Sequence, residues 1–600
     1  MEDKLLNYYE RELTFIRKMG AEFARKYPKI AGRLLLEPDR CADPHTERLI
    51  EAFAFIAGRI HHKIDDDFPA ITESLLSIIY PHYVSPIPSM SVVEIGPLKQ
   101  AIPPTGYRIA KGTALFSKPV GGTPCQFRTA YPVTLWPVEV VAATLRDPKR
   151  LIKSAQQAIV IQVKAVNNQS VSQIGWETLR FFLNGPHQHV FHLYELIFNN
   201  VCHVEIESTN KKGQTQVIPL DREDVQSVGF GPDDVMLPYP RRSFPGYFFL
   251  LEYFCFPEKF LFFDLNGLKQ TRDRELGETL DIWIYLDRSA KTDLVINKDT
   301  FCLNAAPVLN LFQRVAEPIR VEQEKTEYQV IPDVRRQEAT EVFTVDRVTT
   351  SSSSAPGKEF EFKPFYSIRH HLDEEQGQRR VFWHLQRRPS GRKGDDGTEV
   401  FLSFADPDFD PVDPGVETLN VYTTCTNRDL PSRLPFGDPT GDFTLETAAP
   451  VARITCLMKP TPARRSPLGG ALQWRLISHL SLNYMSLVQG GEDALREIFK
   501  LYDFDDSPTT RQQINGLVSI QSRQVTKRVG QSFCRGVQVT IEFDEDRFVG
   551  AGLYLFASVL ERFLGQYVSV NSFSQLVART VQKKGALKTW PPRNGDRVLL

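Results

Sequence analysis

Residues 58–71, GRIHHKIDDDFPAI, set two histidines ahead of three consecutive aspartates, the side chains from which divalent-metal sites are built. On a helix, His61 and Asp65 form one i,i+4 pair and His62 and Asp66 another, on neighbouring faces that do not converge. A zinc site needs three or four convergent ligands, so the pattern predicts two local His–Asp pairs on a helix flank, with Asp67 free to cap the next helix. Other polar clusters are equally weak. NGPHQHVFH (184–192), read as a strand, places His187 and His189 on one face and His192 on the other. SIRHHLDEEQ (367–376) reads as a polar loop with some capacity for partner binding. Ser532 and Cys534 in GQSFCRG (530–536) have no base that can be named beside them, and read as a structural loop.

The motifs of well-known chemistries are missing. There is no GxxxxGK[ST] phosphate loop, no GxSxG elbow and no HExxH; GFGPDD (229–234) lacks the third glycine of a dinucleotide fingerprint. No catalytic residue, cofactor or metal is therefore expected. A carbohydrate-processing enzyme is the competing class, because FDEDRF (543–548) and FADPDFDP (404–411) supply carboxylates that such chemistry needs in pairs across a cleft. A calcium-holding adhesive module built on DPDFDPVDP is a third reading, opposed by a charged N-terminus unlike a signal peptide.

The elements around these residues read as α+β and multidomain. Leu6, Tyr9, Leu13, Ile16, Met19, Phe23 and Tyr27 recur at helical spacing. A second helix starts at Asp43-Pro44 and carries the stripe Leu49, Phe53, Ile56, Ile60 and Ile64. ESLLSIIY (73–80) is a third, so residues 1–90 form a helical N-terminal region. Residues 91–330 turn to β-type runs such as AIVIQVKAV, HVEIES and TLDIWIYL, and 331–458 to a second β-rich region with long polar loops. KPTPARRSPLGGA (459–471) reads as a linker and, with 331–358, as a hinge candidate. Residues 472–600 read as a small α/β domain in which GVQVTIEF alternates as a strand and AGLYLFASVLERFLGQY follows as a helix ended by Gly565.

Composition narrows the function. Of 600 residues, 72 are Lys or Arg and 73 Asp or Glu, and a net charge of -1 offers no attraction for nucleic acid or an anionic membrane. The most apolar stretch, GYFFLLEYFCFPEKFLFFDL (246–265), contains Glu252, Glu258, Lys259 and Asp264, too many charges for a membrane span. Cys425 and Cys456, the nearest pair of the eight cysteines, stand 31 positions apart, which argues for a reducing, cytoplasmic setting and against CxxC chemistry. Many aromatics with no convergent polar cluster describe a chain that contacts other proteins.

Several long segments, taken together and in order, resemble the TssF family (also VasA or ImpG), baseplate subunits of the type VI secretion system. They include MEDKLLNYYERELTFIRKMGAEFARKYPKIAGRL, IHHKIDDDFPAITESLLSIIYPHYVSPIPSM, PCQFRTAYPVTLWPVEV, LNLFQRVAEPIR, LNVYTTCTNRDLP, WRLISHLSLNYMSL and RGVQVTIEFDEDRFVGAGLYLFASVLERFLGQYVSVNSFSQL. The resemblance implies a non-enzymatic wedge subunit: two copies joined to one TssG-like subunit, carrying TssK-like trimers, surrounding a spike hub and building the platform for tube and contractile sheath. It also implies a cytoplasmic location in a baseplate docked near the inner membrane. Leu6, Tyr9, Leu13 and Ile16 on the first helix, and Trp474, Arg475, His479, Asn483 and Tyr484 near the C-terminal domain, are the candidate partner-interface or interdomain residues, since aromatics and Arg concentrate at energetic centres of interfaces.

Overall fold

The computed structural model describes residues 2–32, 43–67, 69–152, 154–166, 169–239, 243, 246–322, 325–351, 359–365, 381–405, 418–466, 476–477, 491–529, 532–568 and 572–595. The chain divides into two compact units, one of residues 1–77 with 467–480, the other of 78–466 with 481–600.

The smaller unit is built on two long antiparallel helices, α1 (Glu2–Lys26) and α2 (Pro44–Asp67). Asp43 starts α2 as expected: its carboxylate accepts from the His45 amide at 3.0 Å and from the Thr46 hydroxyl at 2.8 Å. These hydrogen bonds hold the Asp43 carboxyl below its ordinary range. A further helix, α3 (Pro69–Ile79), follows.

In the larger unit the backbone leaves α3 through a single helical turn, Pro81–Val84, and enters a closed six-stranded barrel. Its strands, in barrel order, are Met90–Pro97, Ala305–Leu309, Thr123–Thr129, Ala114–Val120, Phe443–Leu445 and Val451–Cys456, drawn from three distant parts of the sequence. Inward residues Val93, Leu115, Phe127, Val308, Phe443 and Ile454 fill it. A five-stranded antiparallel sheet has TLDIWIYL at its centre, with Ile282 registered between Ile161 and Ile206. AIVIQVKAV and HVEIES supply those two neighbouring strands, as their alternation predicts. A second large sheet runs from Phe312 to Thr426; all its pairings are antiparallel except that between Glu359–Pro364 and Phe382–Pro389.

Two helices in this β-rich part were not expected. HQHVFHLYELIFN forms α4 (His187–Asn199), so the strand reading of its histidines is corrected: Pro186 sits at the N-cap and six apolar side chains bury one face. Gly246–Cys255 forms α5, nine of whose ten residues are buried. A helix buried all round has no amphipathic period and reads as a generic apolar run. Glu252 and Lys259, two of the charges that argue against a membrane span, form a fully buried ion pair here. Glu252 also accepts the amides of Met236 and Leu237, at 2.8 and 3.1 Å.

The C-terminal part contains α6 (Gly491–Lys500), α7 (Pro508–Asn515), α8 (Leu553–Gly565) and a five-stranded sheet. Strand Ser532–Phe543, the α8 crossover and strand Ser572–Thr580 make a parallel βαβ unit, with Val539 opposite Leu576. Tyr567, just after α8, hydrogen-bonds Tyr247 on α5, and residues 569–571 lie outside the described residues. Helices α5 and α8 face each other through Tyr253–Phe556 and Tyr247–Phe563, with ring centroids 5.3 and 5.7 Å apart. Tyr80 and Tyr83 from the entry turn reach Tyr502 and the Leu501 carbonyl, at 3.3 and 3.0 Å. Burial pushes the Tyr80 and Tyr502 phenols well above their usual range, so both act as neutral packing groups.

Candidate interaction surfaces

The face α2 turns to α1 is not its apolar stripe. Ala54 is fully buried, and a Cβ added at Gly58 would lie 3.0 Å from the Tyr9 amide nitrogen and 3.1 Å from its Cα. This small–xxx–small pair lets the two backbones touch. Tyr9 packs edge-on against Phe55 at 6.3 Å, Arg17 pairs with Glu47, and His61 Nδ1 meets Glu12 at 2.8 Å. His61 is thus engaged across the seam; the side chains of His62 and Asp65–Asp67, and with them both expected His–Asp pairs, lie outside the described residues.

Leu49, Phe53, Ile56 and Ile60 fall roughly 150° round the helix from Ala54 and Gly58, at 100° per residue. They are 71%, 65%, 55% and 52% exposed. On α1, Phe15, Met19 and Phe23 repeat the pattern as an exposed i, i+4, i+8 row. Of the residues singled out from sequence, Leu6 is exposed while Tyr9, Leu13 and Ile16 are half-buried. Among the described residues the apolar stripes are therefore left outward as a contiguous exposed face. Trp474, Arg475, His479, Asn483 and Tyr484 lie outside the described residues, as does SIRHHLDEEQ.

The groups that invited chemistry are spent on the fold. His187 bonds Glu258 at 3.2 Å, which raises its pKa. His192 is driven down to about 4 by burial and by the charges of Lys291 and Arg288, so it stays neutral; its Nε2 accepts the Lys291 amide at 3.4 Å. Both sides of the cleft beside it, of about 170 Å³, carry charge: Arg288 stands 3.9 Å from Glu195, and Lys583 2.7 Å from Glu545. Asp544 accepts from Gln582 at 2.6 Å and Arg547 at 3.1 Å, so the carboxylates of FDEDRF brace a turn. Residues 406–411 of the other carboxylate run lie outside the described residues. Cys534 sits in strand Ser532–Phe543 and not in a loop. Burial pushes the thiols of Cys125 to about 11 and of Cys255, Cys425 and Cys456 to about 12, well away from nucleophile range. Among the described residues no group of three His, Cys, Asp or Glu could hold a metal.

Of the hinge candidate 459–471, residues 459–466 are stapled to the fold, and 467–471 lie outside the described residues. Thr461 bonds Met90 at both backbone and hydroxyl, the Arg464 and Ile87 backbones exchange hydrogen bonds, and Arg464 reaches Asp505 at 2.6 Å. Arg465 enters a buried pocket to bond Glu341 at 2.7 Å and Asp429 at 3.2 Å. Burial alone would raise the Glu341 carboxyl; the Arg465 hydrogen bonds and charge, with donors from Thr398 at 2.6 and 2.8 Å, outweigh it and hold the pKa low. The second hinge candidate, 331–358, contains Glu341–Ser351, an internal strand of the large sheet flanked on both sides. Pro- and Gly-rich composition signalled a linker, but the anchoring arginines have partners far away in sequence, Arg465 and Glu341 being 124 residues apart.

Polar groups consumed within the fold and apolar helix faces left outside it define a class: a multidomain α+β subunit made for assembly. Among the described residues no helix is long and apolar enough to cross a membrane. A sequence profile described as "Type VI secretion system, TssF" matches residues 1–597. The chain is 36% identical, over the full length of both proteins, to "Type VI secretion system component TssF1" of Pseudomonas aeruginosa. Its fold matches a chain in the structure of a type VI TssK-TssF-TssG baseplate subcomplex with a TM-score of 0.74 and 27% identity, covering 92% of this chain and 99% of that one. A chain in a second type VI baseplate complex matches with a TM-score of 0.62 and 27% identity, covering 99% and 100%. The chain belongs to the TssF family, and its role is that of a structural subunit of the type VI secretion baseplate.

Proposed function

We propose that this chain is a non-enzymatic wedge subunit that assembles, two copies to one, with a TssG-like protein, and that the wedge carries TssK-like trimers. The observation that carries the reading is the outward stripe Leu49, Phe53, Ile56 and Ile60, with Phe15, Met19 and Phe23 on α1. A hairpin whose internal seam is made of Ala54, Gly58 and Tyr9 keeps its large apolar side chains for a further helix. Such a stripe fits the apolar centre of a permanent interface. Complexes of TssK, TssF and TssG among the structural relatives support these partners.

In this reading residues 1–90 make the principal contacts, while 91–330, 331–458 and 472–600 form the body. Of the candidate residues on α1, exposed Leu6 joins the first surface, while Tyr9 in the seam, with half-buried Leu13 and Ile16, supports it from within. Trp474, Arg475, His479, Asn483 and Tyr484 are the second candidate, for a partner or between domains. The wedge surrounds a spike hub and supports tube and sheath in the cytoplasm, close to the inner membrane. No specific observation favours the carbohydrate-processing alternative.

Native mass spectrometry of the chain, alone and co-expressed with the TssG-like protein of its gene cluster, tests the proposal. A 2:1 complex that survives dilution is expected. A 68 kDa monomer that ignores that partner would overturn it.

A further inference from the structure

We propose that the outer edge of strand Leu517–Val529 is a docking site for an acidic, extended peptide segment that adds to the C-terminal sheet as a further strand. This surface is separate from the helical hairpin and lies in the other unit.

The strand ends the sheet: its described ladder partner is Ser532–Phe543, on one side only. From Val518 to Val529 no described residue hydrogen-bonds to the backbone of its outer side. At 13 residues it is far longer than an average strand of five or six. Folded proteins keep such edges short or covered, because unpaired amides and carbonyls template another strand. Helices α6 and α7 pack against it, Arg496 of α6 donating to the Leu517 carbonyl, and Leu517 and Ile520 are buried, whereas Gln521, Ser522, Arg523, Gln524 and Thr526 are exposed.

Charge selects the occupant. LVSIQSRQVTKRV contains Arg523, Lys527 and Arg528 and no acidic residue, on a chain whose net charge is only -1. Arg523 and Lys527 stand two positions either side of Val525 and so share one face of the pleat; Arg523 is exposed, while Lys527 reaches inward across the neighbouring strand to donate to Gln575. Edge cations repel a second copy of the same strand. An incoming strand with Glu or Asp at alternate positions would instead set an acidic side chain opposite exposed Arg523, the two Cβ atoms about 5 Å apart. A ladder of alternating amides and carbonyls matches another peptide backbone; phosphates only accept, so a nucleic acid strand does not fit it.

The test uses the full chain and fluorescein-labelled nonapeptides read by anisotropy: TEVETEVET, its lysine counterpart TKVKTKVKT, and TEVETEVET N-methylated along its central residues. The acidic peptide is expected to bind more than tenfold tighter than the lysine peptide, to weaken with salt, and to lose its binding on N-methylation. The double variant Arg523→Glu, Lys527→Glu is expected to reverse the preference, which also shows that the variant sheet is folded. Failure of the acidic peptide to bind overturns the proposal. So does equal binding of the two peptides, or binding that survives N-methylation.

Discussion

Replacing Phe53 and Ile56 together by Gln removes the middle of the exposed stripe without removing helix propensity. Burying a whole Phe or Ile side chain stabilises by roughly 1.5–3 kcal/mol. Phe53 is 65% and Ile56 55% exposed, so the part still open to a partner corresponds to about 1–2 kcal/mol each, or about 2–4 kcal/mol together. At 1.4 kcal/mol per tenfold, affinity for the TssG-like partner should fall roughly thirty- to several-hundred-fold. The isolated chain should change by no more than about 0.5 kcal/mol, as for surface substitutions generally. Titration by native mass spectrometry reads the first quantity and chemical denaturation the second. Intact affinity, with the isolated chain destabilised by more than about 1 kcal/mol, would show that the stripe belongs to this protein's own core and would refute the reasoning.

Three further outcomes follow from the same geometry. Gly58→Leu puts a Cβ 3.0 Å from the Tyr9 backbone, so the hairpin should lose about 1–3 kcal/mol and residues 2–67 should become protease-sensitive while the barrel persists; an unchanged digestion pattern would contradict the seam. Arg465→Met leaves the Glu341 carboxylate buried without its cation and should cost about 3 kcal/mol, much of it recovered in Arg465→Met, Glu341→Gln, as a double-mutant cycle in denaturant would show. The Glu341 pKa is lowered in the folded state, so its contribution is present above the ordinary carboxylate range and is lost as pH falls through the folded value. Acid unfolding should accordingly be less steep in Glu341→Gln than in the parent, and identical profiles would remove the argument.

Local signals carried much of the fold. Asp43-Pro44 marked a helix start, and the alternation in TLDIWIYL and GVQVTIEF placed strands that are central in their sheets. What stayed hidden depended on neighbours. GYFFLLEYFC is surrounded by core and so shows no period; a barrel assembled from residues near 90, 305 and 450 leaves no contiguous signature. The α2 stripe was visible, but periodicity does not say whether it meets α1 or a partner. The readable clue was the pair Ala54 and Gly58 on the other side, which marks a close backbone approach. Arg464 and Arg465 were lost in linker composition because their carboxylate partners are distant in sequence.

A photo-crosslinking amino acid placed at Phe53, with Arg59 as the exposed control on another face, tests the central claim most directly. In the assembled complex with the TssG-like subunit, position 53 should crosslink to that subunit or to the second copy, in high yield relative to position 59. A complex that assembles fully while position 53 captures nothing would contradict the account.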